Sequence, residues 1–342
     1  MNNQALPAQT VQLLQRHGSQ CKNLSLILDR FAPWGIDRGT WDLRMKESVR
    51  RRGETTIQIV SGGQAKGLWL STFRRSKQDE SKSLFEDERY DIPLIQAYQE
   101  RWVQHIRDSD GFAFEMRLTE RMAAGLGASS VLETSLTLDR NTGLPYLPGS
   151  SIKGVARAWG LIETADALGI TLFGDSQDDK PLTRLATVLE SMSLEPEKPE
   201  RDALIKALEP FCTISDDSLL MLEWFGVVFG SQANAGAIAF MDSIYLQGKA
   251  PRFATDVMTP HYVKYFTNDG GRPPSEDDNP NPVSFLTVDA GNIFGFGVIP
   301  RLSAFRDVPQ AERDERVNTA VQIAQEWLTS GLTRLGIGAK TT

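Results

Sequence analysis

The chain has 342 residues, of which 40% are hydrophobic and 24% charged, and this balance excludes a disordered or fibrous protein. The net charge of −7 argues against a protein that binds nucleic acid through its overall charge. Two cysteines, Cys21 and Cys212, are too few for a disulfide framework or a four-cysteine zinc site. No apolar run approaches the roughly 18 residues of a membrane helix, and the N-terminus does not resemble a signal peptide. We therefore expect a soluble, cytoplasmic protein with no membrane partner.

The first section of the chain, residues 1–110, is predicted to be a mostly helical, basic extension. Its clearest helix spans residues 92–107, after the start signal Asp91 and Pro93. A β-like stretch is predicted before it, at residues 55–60 and 68–73 with Gly62-Gly63 as the turn. Residues 16–75 contain 12 Lys/Arg and 5 Asp/Glu, a local charge of +7, whereas the rest of the chain carries −14. A basic patch of this kind can bind a phosphate backbone, although a solvated surface explains it equally well.

The pattern changes at Gly111, where residues 112–118 alternate in polarity as a half-buried strand does. The following elements are predicted in chain order: a glycine-rich break at 123–127, an extended run at 131–138, a turn at 139–143, a helix at 150–162, helices within 180–225, a strand at 237–246, an irregular excursion at 251–282, a hairpin of 283–288 with 293–299, and a helix from about Pro309 to Ser330. Asp307 and Gln310 are predicted to cap the last helix and Gly331 to end it.

From residue 111 onward the order strand, helix, strand, strand, helix predicts an α+β domain of the ferredoxin-like arrangement. This domain would span residues 111–342, with insertions at about 175–230 and 251–282. An open antiparallel sheet of this kind often presents its face or its edge loops to RNA.

The sharpest local motif follows Pro148, at the start of the predicted helix 150–162. Glycines and serines there leave backbone N–H groups free for an anion, and Arg157 lies one turn beyond Lys153. A cation in the first turn opposes the helix dipole by about 0.3–1 kcal/mol unless an anion is also present. We therefore predict a phosphate-binding site formed by Gly149, Ser150, Ser151, Lys153, Gly154 and Arg157. A capped helix whose lysine extends to water is an equally good explanation.

Two further glycine loops are candidates for contact with an extended sugar-phosphate chain. Gly125 and Gly127 follow the first strand of the domain, and Gly336, Gly338 and Lys340 lie near the C-terminus. The last loop resembles a Walker motif, but no glycine directly precedes Lys340 and no strand precedes the loop, so we exclude a nucleoside triphosphatase.

Base stacking is predicted for the excursion, where Met258 and Tyr262 are apolar or aromatic groups unsuited to a core throughout. A small apolar cluster beneath a loop explains them as well. His261 is the one histidine considered as a general base, and Asp139, Asp242 and Asp256 could bind Mg²⁺, but nothing in their spacing brings them together. No cofactor, metal site or catalytic residue is predicted.

Several segments, which follow one another in the same order along the chain, resemble RAMP proteins of type III-B CRISPR effector (Cmr) complexes. The segments are RMAAGLGASSVLETSLTLDRNTGLPYLPGSSIKGVARAWG (121–160), LFG (172–174), GAIAFMDSIY (236–245), DVMTPHYVKYF (256–266), PVSFLTVDAGNIFGFGVIP (282–300) and GLTRLGIGAKT (331–341).

The resemblance implies a modified RRM-like domain and a non-catalytic structural subunit in antiviral defense. Such a subunit would cap the backbone filament near the 3′ end of the CRISPR RNA. Its partners would be CRISPR RNA, target RNA, and the backbone, small and neighbouring RAMP subunits. The family's glycine-loop positions fall on Gly149, Ser150, Ser151, Lys153 and Gly154, and on Gly336, Gly338 and Lys340. Family members normally continue past this last loop into a closing strand.

Two alternatives remain open at this stage. Related folds include metal-independent endoribonucleases that process CRISPR RNA, and in this chain His261 and Lys264 would then act on the RNA. The protein could also be an adaptor that binds other proteins alone.

Overall fold

The computed structural model describes residues 21–30, 34–37, 40–51, 54–71, 90–127, 136–170, 181–191, 205–209, 214–259 and 282–338, together with a few single residues between these ranges. The described part is a mixed α/β structure whose strands pair in antiparallel fashion. Its hydrophobic core includes side chains from Leu24 to Ile337, so the N-terminal section packs with the rest of the chain.

The N-terminal section contains a three-stranded sheet as well as helices. Its elements are α1 (Leu24–Arg30), β1 (Trp34–Asp37), β2 (Thr40–Arg51), β3 (Glu54–Ser61) and α2 (Gly62–Ser71). The strand predicted at 55–60 is confirmed by β3, but the strand predicted at 68–73 is wrong for residues 68–71, which are helical. The partner of β3 is the arginine-rich β2, with Arg51 opposite Glu54. A mostly helical section is therefore not confirmed here.

The helix predicted at 92–107 is confirmed as α3 (Ile92–Asp108), and the Asp91 carboxylate caps it by accepting from the Leu94 amide at 3.3 Å. Ile106 of this helix is fully buried against the central sheet. A Cβ added to Gly297 would lie 2.3 Å from the Cδ1 atom of Ile106. Glycine at position 297 therefore permits the helix to approach the sheet closely.

The central sheet has the order β4–β9–β5, with β6 also paired to β9. Its strands are β4 (Phe112–Arg117), β5 (Ile238–Phe240), β6 (Ile244–Tyr245) and β9 (Ile293–Pro300). The strand predicted at 237–246 is thus two short strands, interrupted at residues 241–243, that pair with opposite ends of β9.

The predicted hairpin of 283–288 with 293–299 is wrong, although both strands exist. Strand β8 (Val283–Val288) pairs with β7 (Phe253–Met258), so the first residues of the supposedly irregular excursion are also a strand. The segment between β8 and β9 leads the chain from the β7–β8 pair into the central sheet. The Asn292 side chain holds this segment in place. Its Nδ2 atom donates to the carbonyl oxygens of Arg252 at 2.9 Å and Asp289 at 2.7 Å.

Four helices pack together around the central sheet: α4 (Gly149–Ala167), α5 (Pro181–Ser191), α6 (Asp216–Phe229) and α7 (Gln310–Arg334). The Glu163 carboxylate joins α4 to α7 by accepting from the indole nitrogens of Trp159 at 2.6 Å and Trp327 at 2.7 Å. The helices α5 and α6 lie within the predicted insertion 175–230, and both contribute buried side chains to the core.

The helix predicted from about Pro309 is confirmed at its start by α7, but its capping and its C-terminal end differ from the prediction. Neither Asp307 nor Gln310 caps it, because the N-cap is Pro309, which makes no side-chain cap bond. Gly331 lies inside the helix, where an added Cβ would be 2.9 Å from the carbonyl oxygen of Val155. This glycine therefore serves the contact between α7 and α4. No helix in the described ranges has both the length and the apolar character needed to cross a membrane.

Candidate nucleic-acid interface

The start of α4 forms the centre of the predicted phosphate-binding site. Pro148 is its N-cap and makes no side-chain cap bond. Instead, the Gly149 amide donates to the Oδ1 atom of Asp242 at 2.6 Å. A Cβ at Gly149 would lie 2.3 Å from the Phe240 carbonyl oxygen, so only glycine fits there. The Asp242 carboxylate therefore already accepts from the Gly149 amide, one of the N–H groups that the predicted phosphate site requires.

Beyond that amide, the first two turns of α4 present an exposed surface of Ser150, Ser151 and Gly154. We call these three residues the Ser-Gly face. A Cβ added to Gly154 would meet no atom within 4 Å. A glycine inside a helix costs about 0.5–1 kcal/mol relative to alanine, and no packing contact in the described structure requires this one. The Ser-Gly face is therefore open to close approach by another molecule.

Lys153 lies beside the Ser-Gly face but is directed toward the protein. Its Nζ atom donates to the carbonyl oxygen of Phe229, the last residue of α6, at 2.8 Å. Burial lowers the pKa of Lys153, and the positive charges of Arg301 and Arg157 lower it further. Three basic side chains therefore lie close to one another here, and the Lys153 ammonium has a partner of its own.

Arg157 also has intramolecular partners. Its Nη2 atom lies 3.2 Å from Oε1 of Glu190, and its guanidinium stands 5.5 Å from the centre of the Phe225 ring. Arg301 was not predicted as a site residue. It directly follows β9, and only the sheet pairing, in which its amide donates to the carbonyl of Ala237, brings it to this site. No local spacing in the sequence could have indicated it.

The glycine loops approach one another through short backbone contacts. A Cβ at Gly338 would lie 2.8 Å from the carbonyl oxygen of Ala123, which places the C-terminal loop against the loop of Gly125 and Gly127. The amide of Thr137 donates to the carbonyl of Ala124, and the Tyr146 amide donates to the carbonyl of Thr137. The structure thus links these two loops to each other and to the segment that leads into α4.

The glycines of these loops differ in whether the backbone conformation requires glycine. Gly125, Gly336 and Gly338 have φ angles of 84°, 73° and 87°, which glycine adopts without strain. Gly127 resembles Gly154, because a Cβ there would meet no atom within 4 Å. Gly127 and Gly154 are therefore the two predicted site glycines that combine an ordinary φ with open space.

The remaining predicted site residues are Met258, Tyr262 and Lys340. Met258 ends β7 and is 41% exposed. Tyr262, His261, Lys264 and Lys340 lie outside the described residues, so base stacking by Tyr262 and the endoribonuclease hypothesis stay predictions.

The candidate Mg²⁺ ligands have separate roles. Asp139 accepts from the amides of Asn141 at 3.0 Å and Thr142 at 2.8 Å, which fixes the turn before α4. Asp242 caps Gly149, and Asp256 lies 3.9 Å from the guanidinium of Arg121. In the described part of the chain no three His, Cys, Asp or Glu side chains are grouped as a metal site requires.

Comparison with known proteins identifies the family. The model of the RAMP superfamily matches residues 105–342. The chain belongs to the RAMP superfamily. It is 26% identical to the CRISPR system Cmr subunit Cmr6 of Pyrococcus furiosus, over 94% of this chain and 92% of that protein. The resemblance inferred from the sequence motifs, which was strongest for the sixth Cmr subunit, is thereby confirmed.

Two solved structures also match part of the chain. The crystal structure of Cmr6 from Pyrococcus furiosus matches with 26% identity and a TM-score of 0.38, over 68% of this chain and 93% of that chain. A chain of the type III-B Cmr-beta complex bound to cognate target RNA matches with 17% identity and a TM-score of 0.43. That match spans 75% of this chain and 65% of the other.

Proposed function

We propose that this RAMP protein is a non-catalytic, RNA-binding structural subunit of a type III-B CRISPR effector complex. The family assignment and the similarity to Cmr6 over nearly the whole chain support this role. Within the complex it caps the backbone filament near the 3′ end of the CRISPR RNA and contributes to binding of guide and target. Its protein partners are the backbone, small and neighbouring RAMP subunits, and it acts in the cytoplasm in antiviral defense.

The domain that binds RNA is a modified ferredoxin-like, RRM-like unit. The order β4, α4, β5 with β6, β9, α7 and the sheet order β4–β9–β5 support this proposal. Residues 1–110 form an extension to this unit, and residues 111–342 contain it with its insertions. The helices lie so that the start of α4 is near one end of the sheet, beside the β5 residue Phe240.

The single observation that carries RNA binding is the Ser-Gly face. It combines exposed hydroxyl groups with a helical glycine that nothing within the described structure requires. Lys153, Arg157 and Arg301 supply positive charge next to it. A ribose-phosphate backbone can therefore approach the helix surface closely, and its negative charge is balanced by the cations behind it.

The experiment that tests this function is Ser151→Glu, measured as the affinity of the purified full-length chain for CRISPR RNA at several salt concentrations. An acidic side chain in the first turn favours the helix, by about 0.3–1 kcal/mol, so the variant retains its fold. It nevertheless places a negative charge where we expect phosphate. We predict a loss of affinity of tenfold or more at low salt, which diminishes as salt screens the repulsion.

The matched control is Gln310→Glu, which makes the same charge change in the first turn of α7. Gln310 is exposed, and its Oε1 atom already accepts from Arg313 at 2.9 Å. This variant is expected to bind RNA as the unmodified protein does. Equal losses in both variants would show a general charge effect, and no loss in Ser151→Glu would refute contact at the Ser-Gly face.

A further inference from the structure

The ladder of β2 and β3 in the N-terminal section has two unlike faces. Side chains of successive residues in a strand point to opposite faces of the sheet. Leu43 and Val60 are buried on one face. On the same face the Glu47 carboxylate accepts from the side-chain amides of Gln58 in β3 and Gln64 in α2, both at 2.9 Å. This face of the ladder is therefore the one that packs on α2 and the core.

The opposite face of the ladder carries two exposed isoleucines on β3. Ile57 and Ile59 are 72% and 59% exposed, more than any other large apolar side chain of the described residues. They are two residues apart in the strand and therefore stand side by side on one face. Their partners in β2, Ser48 and Lys46, are exposed as well. A single exposed apolar side chain is ordinary, but two adjacent β-branched side chains on a flat ladder form a rigid apolar surface that a partner can cover.

The register of the ladder also separates its charges between the two faces. The positions that alternate with the isoleucines form a set that we call the isoleucine face. These positions are Arg44, Lys46, Ser48 and Arg50 in β2 and Thr55, Ile57, Ile59 and Ser61 in β3. By the same alternation the acidic residues of the ladder, Glu47 and Glu54, fall on the positions of the other face. The isoleucine face therefore combines an apolar pair with basic positions and has no acidic position within the ladder.

The charge and the apolar surface together identify the kind of partner. Phosphate groups are attracted by basic positions but gain nothing from two aliphatic side chains, and the isoleucine face has no aromatic position on which a base could stack. A protein segment whose apolar side chains are flanked by carboxylates matches both features. We propose that the isoleucine face docks an acidic amphipathic helix of another protein subunit of the effector complex. This inference rests on the proposed function and adds to it a protein-binding surface outside the RNA-binding unit.

The dimensions of the ladder favour a helix as the occupant. Neighbouring strands lie about 4.8 Å apart and a helix is about 10 Å wide, so one helix laid along the ladder covers β2 and β3 together. A sheet that packs on a helix on one face and exposes apolar side chains on the other is completed by a second helical layer. The apolar stripe of the docked helix lies over Ile57 and Ile59, and its carboxylates lie beside Lys46.

Assembly of the effector complex tests this surface. The labelled full-length chain is titrated into the complex that the other purified subunits form with CRISPR RNA. We expect Ile57→Thr/Ile59→Thr to weaken its incorporation by about tenfold or more, as loss of a central apolar contact does. Threonine is also β-branched and both positions are exposed, so the variant keeps its strand and should bind isolated CRISPR RNA normally. Leu220→Gln is the control, because it removes an exposed apolar side chain from α6 instead.

The charge of the isoleucine face is tested with Lys46→Glu. This reversal should weaken incorporation by about tenfold at low salt and by less as the salt concentration rises. Lys249→Glu, at an exposed lysine between β6 and β7, is the matched control and should assemble as the unmodified protein does. A benzoylphenylalanine placed at position 57 should crosslink to a protein subunit within the assembled complex.

The outcomes separate this inference from the proposed function. A crosslink to RNA, or weaker binding of isolated CRISPR RNA by Ile57→Thr/Ile59→Thr, would identify the face as an RNA surface and refute the inference. Normal incorporation of both variants, or losses equal to those of the controls, would also refute it. If Ser151→Glu then still weakens RNA binding, the proposed function stands. Failure of the unmodified chain to enter the complex would refute both.

Discussion

The ammonium nitrogen of Lys153 lies 2.8 Å from the carbonyl oxygen of Phe229, which joins the first turn of α4 to the last residue of α6. A cation at the C-terminal end of a helix interacts favourably with its dipole and with a carbonyl that has no partner inside the helix. At the same time, burial and two neighbouring arginines disfavour the charge and lower the pKa of this lysine. Lys153 therefore has a structural role in addition to any contact with RNA.

Lys153→Ala is accordingly expected to lower the free energy of unfolding by about 1 kcal/mol, because it removes a hydrogen bond from a charged donor that is partly exposed. Urea denaturation measures this change, and Lys249→Ala at an exposed lysine is the control. The variant should also bind RNA more weakly at all sequences, with a salt slope reduced by about one. An unchanged slope would mean that the lysine acts through the fold alone.

Asp242 gives a second way to separate structure from RNA binding. Its carboxylate caps the Gly149 amide, and Asp242→Asn retains an acceptor while it removes a negative charge from the site. We expect the free energy of unfolding to fall by about 0.5 kcal/mol, since asparagine is also a good helix cap. The affinity for RNA should rise several-fold at low salt, because the phosphates no longer face a fixed negative charge.

Asp242→Ala is the comparison for this variant, because it removes both the cap and the charge. It should cost about 1–2 kcal/mol of stability and give the same gain in RNA affinity. If Asp242→Asn weakens RNA binding in filter-binding or fluorescence titrations, the carboxylate helps to position the RNA and does not compete with it.

Gly154→Ala is predicted to stabilise the protein and to weaken its binding to RNA. Alanine is favoured over glycine inside a helix by about 0.5–1 kcal/mol, and the added methyl group meets no atom within 4 Å. The methyl group would, however, stand between the helix and a closely approaching backbone. Thermal unfolding and RNA titration measure the two effects on the same sample.

The control for this prediction is Gly226→Ala in α6, where an added Cβ also meets nothing within 4 Å. It should raise stability by a similar amount and leave RNA binding unchanged. An increase in stability without any loss of affinity in Gly154→Ala would show that RNA does not approach this part of the helix closely.

The sequence alone was sufficient for elements whose signals are local. Helix α3 was predicted from Asp91 and the spacing of its apolar residues, and β4 from the alternation after Gly111. The helix α4 was predicted from the same motif that suggested a phosphate site. In each case capping and periodicity act within a few residues of the element, so tertiary packing did not alter the outcome.

Pairing between distant segments could not be predicted in this way. The strands β8 and β9 have the pattern of a hairpin, but each of them pairs elsewhere because Asn292 turns the chain between two sheets. The partners of Lys153 were missed for the same reason. Phe229 is 76 residues away in sequence, and nothing near position 153 indicates that a helix ends there.

The last prediction concerns alkaline pH and Tyr90, which is 2% exposed. Burial, and secondarily the neighbouring Tyr245, raises the pKa of its phenol above the ordinary value of 10.0. In the unfolded chain the phenol ionises near pH 10.0, whereas in the folded protein it stays neutral. Tyr90 therefore contributes stability that is fully present below pH 10.0 and is lost as the pH rises above it.

Tyr90→Phe should consequently lose less stability than the unmodified protein between about pH 9 and pH 11, as measured by urea denaturation at each pH. Part of the loss should remain, because the pKa values of Tyr98 and Tyr146 are also raised, mainly by burial and in addition by Asp139 and Asp242. The comparison of slopes is decisive, since removal of the hydroxyl can shift the stability at every pH by a constant amount. Parallel curves for the two proteins would show that Tyr90 ionises in the folded state as it does in the unfolded chain.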